Sequence, residues 1–391
     1  MKTIGYVLGD FPVLSETFIG NEMRALQDRG FGIAPFAFAS NPEQGQPIDK
    51  PLAEQTQKII AVPTVKALAM WGKNAANSAR ALSFVQQQTG LPKKSLIKSA
   101  GQLAYLASQA NCSHLHAHFA LHTAATAIVA AKLLGCTVSF VGHGFDVYVS
   151  PTDLALKLQH ASFAVAVCED MQQLFQQLAP KQQVPLIPCG IDPSRYELRT
   201  PASHNQRLLF IGRLAEKKGL PDLLSALAMM PEKNRPGLDI VGDGPLREQL
   251  QQQIQALGLK RQVQLLGAKP AEWFIENAAS YAALCAPFCK AENGDRDTGP
   301  LVVKEAMALG LPVICSEFMG CREILTEDSG TFTLPNAPYN IASAIEKNLA
   351  FTAAERNSLI HRARMRVTCL YSCEISALKM SLAIQGHRHD A

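Results

Sequence analysis

Asp297-Thr-Gly-Pro-Leu-Val-Val-Lys-Glu305-Ala-Met-Ala-Leu-Gly310-Leu-Pro312 is a helix that carries its own start and stop signals. Pro300 suits the first helical position, where its missing N–H would have had no partner. Gly310 and Pro312 end the run. Two carboxylates stand eight positions apart, Asp297 just before the helix and Glu305 inside it. A helix start offers free backbone N–H groups and a positive dipole end, which together suit a phosphate. The acids suit hydroxyls, so the run fits a charged, hydroxyl-rich ligand such as a sugar nucleotide.

Outward from this helix the same grammar of apolar strand, turn and amphipathic helix repeats. The strand Pro312–Cys315 follows it. Upstream lie strands at Leu208–Ile211, Leu238–Val241, Val263–Leu266 and Ala282–Ala286, with helices at Pro221–Met230 and Pro245–Leu257. An earlier block reads as strands Thr3–Gly9, Phe31–Phe38, His114–His118, Thr137–Val141 and Phe163–Cys168. Its helices span Glu16–Arg29 (capped by Ser15), Thr123–Leu134 and Glu169–Leu178. Strand–helix alternation at these lengths predicts two parallel, doubly wound α/β domains. The expected division is 1–187 for the first domain, 188–206 for a linker and 207–370 for the second domain. A tail, helical from about Ala353 to Ile384, ends in a C-terminal helix over 371–391. Open sheets of this kind bind ligands at the carboxyl ends of their strands, so two facing domains would share one cleft.

At 391 residues the chain exceeds what one core organises. Ten cysteines lie scattered in apolar surroundings with no Cys-x-x-Cys pair, so free thiols in a reducing cytosol are expected. No uncharged apolar stretch is long enough to span a bilayer. Charge is uneven: residues 1–145 hold 12 basic against 7 acidic side chains, and no Asp or Glu occurs between Glu54 and Asp146. With Trp71 and several leucines interleaved, this basic half is a candidate face for anionic lipid at the inner side of a membrane. Nothing points to nucleic acid.

Short motifs place the chemistry. In Gly212-Arg213-Leu-Ala-Glu-Lys217-Lys218-Gly219, cations at a strand's carboxyl end can neutralise a diphosphate. Gly242-Asp-Gly244-Pro245 lacks the third glycine of the dinucleotide fingerprint and reads as a tight structural turn. His114-Leu-His116-Ala-His118 aligns three imidazoles on one strand face, but no nearby carboxylate or thiol joins them, so no metal site is expected. In Gly142-His143-Gly144-Phe145-Asp146, flanking glycines admit a ligand to His143, and Asp146 is free to hold either the loop or the imidazole.

Together these residues resemble glycosyltransferase family 4, a retaining family of GT-B fold, along nearly the whole chain. The similarity runs through Phe11-Pro-Val-Leu-Ser-Glu-Thr-Phe-Ile19, His116-Ala-His-Phe119, His143-Gly-Phe-Asp146 and Pro188-Cys-Gly-Ile-Asp192. It continues with Gly212–Gly219, Gly242–Pro245 and Glu305–Pro312. The opening motif and Gly294-Asp-Arg-Asp297 are most similar to the bacterial colanic-acid and capsule exopolysaccharide branch. The resemblance implies a nucleotide-sugar donor, with UDP or GDP as nucleotide, and a saccharide or polyprenyl-linked oligosaccharide acceptor. It implies no cofactor and no metal. On the donor side it implicates Gly212, Arg213, Lys218, Gly242, Thr298, Gly299, the Leu301 and Val302 amides on the distal phosphate, and Glu305 on the ribose. The catalytic group would be His143, Asp297, Arg213 and Lys218. The acceptor side would hold Gly9, Ser15, Glu16, His118 and Asp146, and the last helix would cross back onto the first domain. The family's Glu-x7-Glu motif begins here with Asp297, whose side chain is shorter by one C–C bond, about 1.5 Å. Thr298 stands where glycine is usual. A non-catalytic binding subunit, or another GT-B enzyme such as a nucleotide-sugar epimerase, is the alternative reading.

Overall fold

A computed structural model describes residues 2–198 and 206–386. Two compact units emerge: Met1–Gly190 with Cys373–Ala391, and Ile191–Ser372. The strands of the first are β1 (Thr3–Asp10), β2 (Gly32–Ala39), β3 (Gln57–Lys58), β4 (Cys112–His118), β5 (Thr137–Val141) and β6 (Phe163–Val165). Those of the second are β7 (Arg207–Ile211), β8 (Gly237–Val241), β9 (Val263–Gly267), β10 (Ala283–Ala286), β11 (Val313–Ser316) and β12 (Thr331–Thr333).

The first sheet is ordered β3-β2-β1-β4-β5-β6 and the second β12-β11-β10-β7-β8-β9. Counted from its own first strand, each sheet has the same order, and every pairing is parallel. This is the doubly wound Rossmann order, whose direction reverses between the first and fourth strands. The ligand-binding switch points therefore lie at β1/β4 and β7/β10. Their strands read as continuous apolar runs because helices cover both faces of the sheet; Leu208, Leu209, Ala283, Leu284 and Cys285 are fully buried. The helix His122–Leu134 is buried from Thr123 through Ala131. Its alanines let it sit close against its neighbours.

Several expectations need correction. Ser15 does not cap the first helix, which spans Thr17–Asp28 with Glu16 at its cap position. Pro300 stands one place before the helix Leu301–Leu309 rather than at its first position. The tail is two helices, Ala353–Leu370 and Cys373–Gly386. They break where Tyr371 leaves helical geometry and its carbonyl accepts the Ile191 N–H at 3.0 Å. The segment expected as a linker from 188 instead buries Ile191 and Tyr196 in the second unit's core. Residues 199–205 of that linker, and 387–391 of the tail, lie outside the described residues. The helix Cys373–Gly386 packs on Thr17–Asp28 within the first unit. All ten cysteines are free thiols. No helix among the described residues is long and apolar enough to cross a membrane.

Candidate functional site

Beside the second unit's switch point β7 leads into Gly212, and its other neighbour, β8, leads into Gly242. The two turns abut. Gly212 donates to the Val241 carbonyl at 3.0 Å, and Leu214 to the Asp243 carbonyl at 2.9 Å. Gly242 has φ +140°, and a Cβ there would stand 1.9 Å from the Gly212 carbonyl oxygen. Close backbone approach explains this glycine without any ligand.

The basic turn then meets the acids before the Leu301–Leu309 helix. Lys217 pairs with Asp295 and Lys218 with Asp297, each at 3.0 Å. The Lys218 ammonium also lies 4.7 Å from the Phe288 ring centre. The second Asp297 oxygen is buried with no hydrogen-bond partner among the described residues. Arg213 is exposed and, among the described residues, forms no ion pair. Thr298 is buried, with its carbonyl pressed against Gly320. The amides of Leu301 and Val302 open the helix, where intrahelical acceptors are lacking. Glu305 accepts the Tyr196 hydroxyl at 3.0 Å. Burial raises the Glu305 carboxyl above its ordinary value, and the Tyr196 bond partly offsets this. The structure thus joins Lys218 to Asp297 directly, and adds Tyr196, which nothing in a charged loop sequence marked.

In the first unit, Asp146 holds the loop rather than the imidazole. It is fully buried and accepts the backbone N–H of Ala120 at 2.6 Å and of His143 at 3.0 Å. Lys157 braces the same corner, donating to the Ala120 and Thr152 carbonyls at 2.7 Å. Burial pushes Asp146 up to about 6 against these backbone bonds, and pulls Lys157 down to about 8. Burial, with Asp10 and Asp146 nearby, raises Glu16 to about 7. Gly9 lies in β1 and Ser15 is exposed beside Glu16.

His118 and His143 are neighbours, with Nδ1 of His118 3.4 Å from Nε2 of His143 and the rings stacked at 16°. The histidine strand does have a carboxylate, contrary to expectation. Glu22, from the helix Thr17–Asp28, places Oε1 3.3 Å from His116 Nε2 and 3.5 Å from His118 Nε2. Tyr6 donates to the same oxygen at 2.7 Å. Glu22, His116 and His118 are the one set among the described residues with converging metal-ligand atoms. Burial alone would raise Glu22, yet His118 and His116 hold it well below the ordinary carboxylate range. The signal was available: Glu22 interrupts the buried stripe Ile19, Met23, Leu26 of its helix.

Residues 197–366 match the family model for glycosyl transferases group 1. The putative colanic acid biosynthesis glycosyltransferase WcaL of Escherichia coli K12 is 24% identical over 415 residues, covering 98% of this chain and 99% of its own. The amylovoran biosynthesis glycosyltransferase AmsK of Erwinia amylovora is 29% identical over 202 residues, covering 50% of this chain and 49% of its own. Among solved structures, Anabaena HepE in complex with UDP superposes with a TM-score of 0.74 at 18% identity, covering 99% of this chain and 100% of that one. A Rickettsia africae glycosyltransferase gives 0.73 at 16% identity, covering 100% and 99%.

Proposed function

We propose that this chain, whose residues 197–366 match the group 1 glycosyl transferases, moves a sugar from a UDP- or GDP-sugar to a saccharide or lipid-linked oligosaccharide, with retained anomeric configuration. The names of its colanic-acid and amylovoran relatives support a role in exopolysaccharide assembly. The observation that carries the reading is the cation–carboxylate turn beside the Leu301 helix start: Arg213 exposed and unpaired among the described residues, Lys218 held by Asp297. Arg213, Lys218 and the Leu301 and Val302 amides would take the diphosphate, where leaving-group charge grows during transfer. Glu305, oriented by Tyr196, would take the ribose hydroxyls. In the first unit, His143 would hydrogen-bond the transferred sugar, and Gly9, Ser15, Glu16, His118 and Asp146 are the proposed acceptor-side residues. Asp297 would act by orienting Lys218 before the donor arrives. In this reading the protein cations stabilise the leaving group and no metal or cofactor is needed. A thermal-shift panel of UDP, GDP and their sugars tests it, since ligand that binds the native state raises apparent stability. A shift with none of them contradicts it.

The acceptor reading draws on one surface of the first unit. Ile60, Val65 and Leu68 are 63%, 72% and 59% exposed on the segment leading into and along the helix Thr64–Gly72. Lys58, Lys66 and Lys73 flank them, inside the stretch without acids. Apolar residues set among cations suit an anionic lipid surface. Binding to phosphatidylglycerol vesicles, weakened by salt and by Leu68→Glu, is expected; no binding at low salt refutes this part.

A further inference from the structure

Two buried nitrogens on β4 lack a hydrogen-bond partner among the described residues. They are His116 Nε2 and His118 Nε2, on side chains only 1% exposed. Both lie near one oxygen, Glu22 Oε1, at 3.3 and 3.5 Å, close enough for a hydrogen bond but not aligned for one. Leaving such atoms unsatisfied in a protein interior is costly. Alternate positions on a strand face the same way, which brings the two imidazoles together, and the helix Thr17–Asp28 supplies the carboxylate. His114, two places earlier, is set apart. Its ring nitrogens lie 2.8 Å from the Thr137 and Ser139 hydroxyls.

We propose that Glu22, His116 and His118 bind one zinc ion, which ties the helix Thr17–Asp28 to the sheet. Two imidazoles and a carboxylate suit zinc, whereas calcium and magnesium prefer oxygen shells. A tetrahedral zinc with bonds of about 2.0–2.1 Å sets its ligand atoms about 3.3 Å apart. The two nitrogen–oxygen distances, 3.3 and 3.5 Å, already fit that edge. All three ligand atoms lie within 4.8 Å of one another, so the third edge is within reach of side-chain adjustment. An outer shell that holds the ligands is in place as well. Tyr6 donates to Glu22 Oε1 at 2.7 Å, His116 Nδ1 lies 2.7 Å from the Ser139 hydroxyl, and His118 Nδ1 lies 3.4 Å from His143 Nε2. Among the described residues no fourth side chain joins the set, so water completes the tetrahedron. The sequence offers these histidines no nearby carboxylate; folding supplies one. The ion takes no part in the leaving-group chemistry above, and the proposal does not rest on the transferase reading. His118 still presents its ring to the acceptor side, with Nε2 committed to the ion.

Protein carrying no affinity tag, purified from zinc-supplemented medium, should contain one zinc per chain by mass spectrometry. Its zinc X-ray absorption spectrum should show two imidazole nitrogens and one or two oxygens at about 2.0–2.2 Å. After chelation, titration with zinc chloride alone should restore the ion and raise the melting temperature, since an ion bound to the native state stabilises it. Glu22→Gln and His116→Ala should each weaken zinc binding at least about 100-fold, beyond the roughly 10- to 100-fold effect of outer-shell changes. Should His116→Ala fail to fold, Glu22→Gln, which is close in shape, and the wild-type absorption spectrum still decide. A wild type that takes up no zinc at about 10 μM, a spectrum dominated by sulfur ligands, or a smaller loss of affinity in folded Glu22→Gln would each overturn the proposal.

Discussion

Replacing Lys218 with methionine separates two jobs that one ammonium performs. The ion pair with Asp297 is 3.0 Å long, with side chains only 13% and 15% exposed. At an effective dielectric constant of about 20, its gross attraction is about 5.5 kcal/mol. Desolvation cancels much of this, but removing one partner strands the other charge, at a cost of about 3 kcal/mol. The stranded group is Asp297, one of whose oxygens already lacks a partner. Adding Asp297→Asn removes that charge, so the double variant should regain about 2 kcal/mol in urea unfolding, as contacting residues are not additive. Nucleotide affinity should behave differently. Losing a charge-assisted bond to phosphate costs about 1.5–3 kcal/mol, or roughly 10- to 150-fold in Kd. Calorimetric titration with UDP or GDP should show that loss in Lys218→Met and again in the double variant, while Asp297→Asn alone binds at least as tightly as wild type but turns over more slowly. Affinity in Lys218→Met within about twofold of wild type, or its recovery in the double variant, would refute the reasoning.

Three further outcomes follow from the geometry. Gly242→Ala forces a Cβ into the Gly212 carbonyl; it should lower stability by about 2 kcal/mol or more and weaken nucleotide binding, measured by urea unfolding and titration. Tyr196→Phe leaves Glu305 without its hydroxyl donor; a stability loss of about 1–2 kcal/mol, with poorer binding of the nucleoside diphosphate, is expected, and equal affinity would remove Glu305 from the site. Asp146 is raised to about 6 in the folded state against an ordinary 3.8. Its contribution is thus fully present below about pH 4 and lost as pH rises through 6; melting curves of Asp146→Asn should show a smaller fall in stability across that window than wild type.

The sequence made the doubly wound architecture readable because parallel strands buried on both faces are continuous apolar runs, as at Leu208–Ile211 and Thr137–Val141. Edge strands escaped it. β3 is two polar residues, Gln57 and Lys58, and β12 is Thr331–Thr333, flanked by turns; pairing, not composition, makes them strands. The break at Tyr371 escaped because it answers to Ile191, 180 positions away. In the site, Arg213, Lys218 and Glu305 were legible from local motifs. The pairing of Lys218 with Asp297 was not, because it spans 79 positions. Glu22 lay hidden for a related reason: a buried carboxylate on a helix gains meaning only when the strand bearing His116 and His118 is laid beside it.

Arg213 gives the most direct test of the central claim. Its side chain is exposed and without an ion pair among the described residues, so Arg213→Ala should leave the melting temperature unchanged. Release of UDP or GDP from a matched nucleotide-sugar, followed with acceptor present, should be readily measured for the wild type and abolished in the variant. Release at the wild-type rate by Arg213→Ala, or none from any UDP- or GDP-sugar by the wild type, would contradict the account.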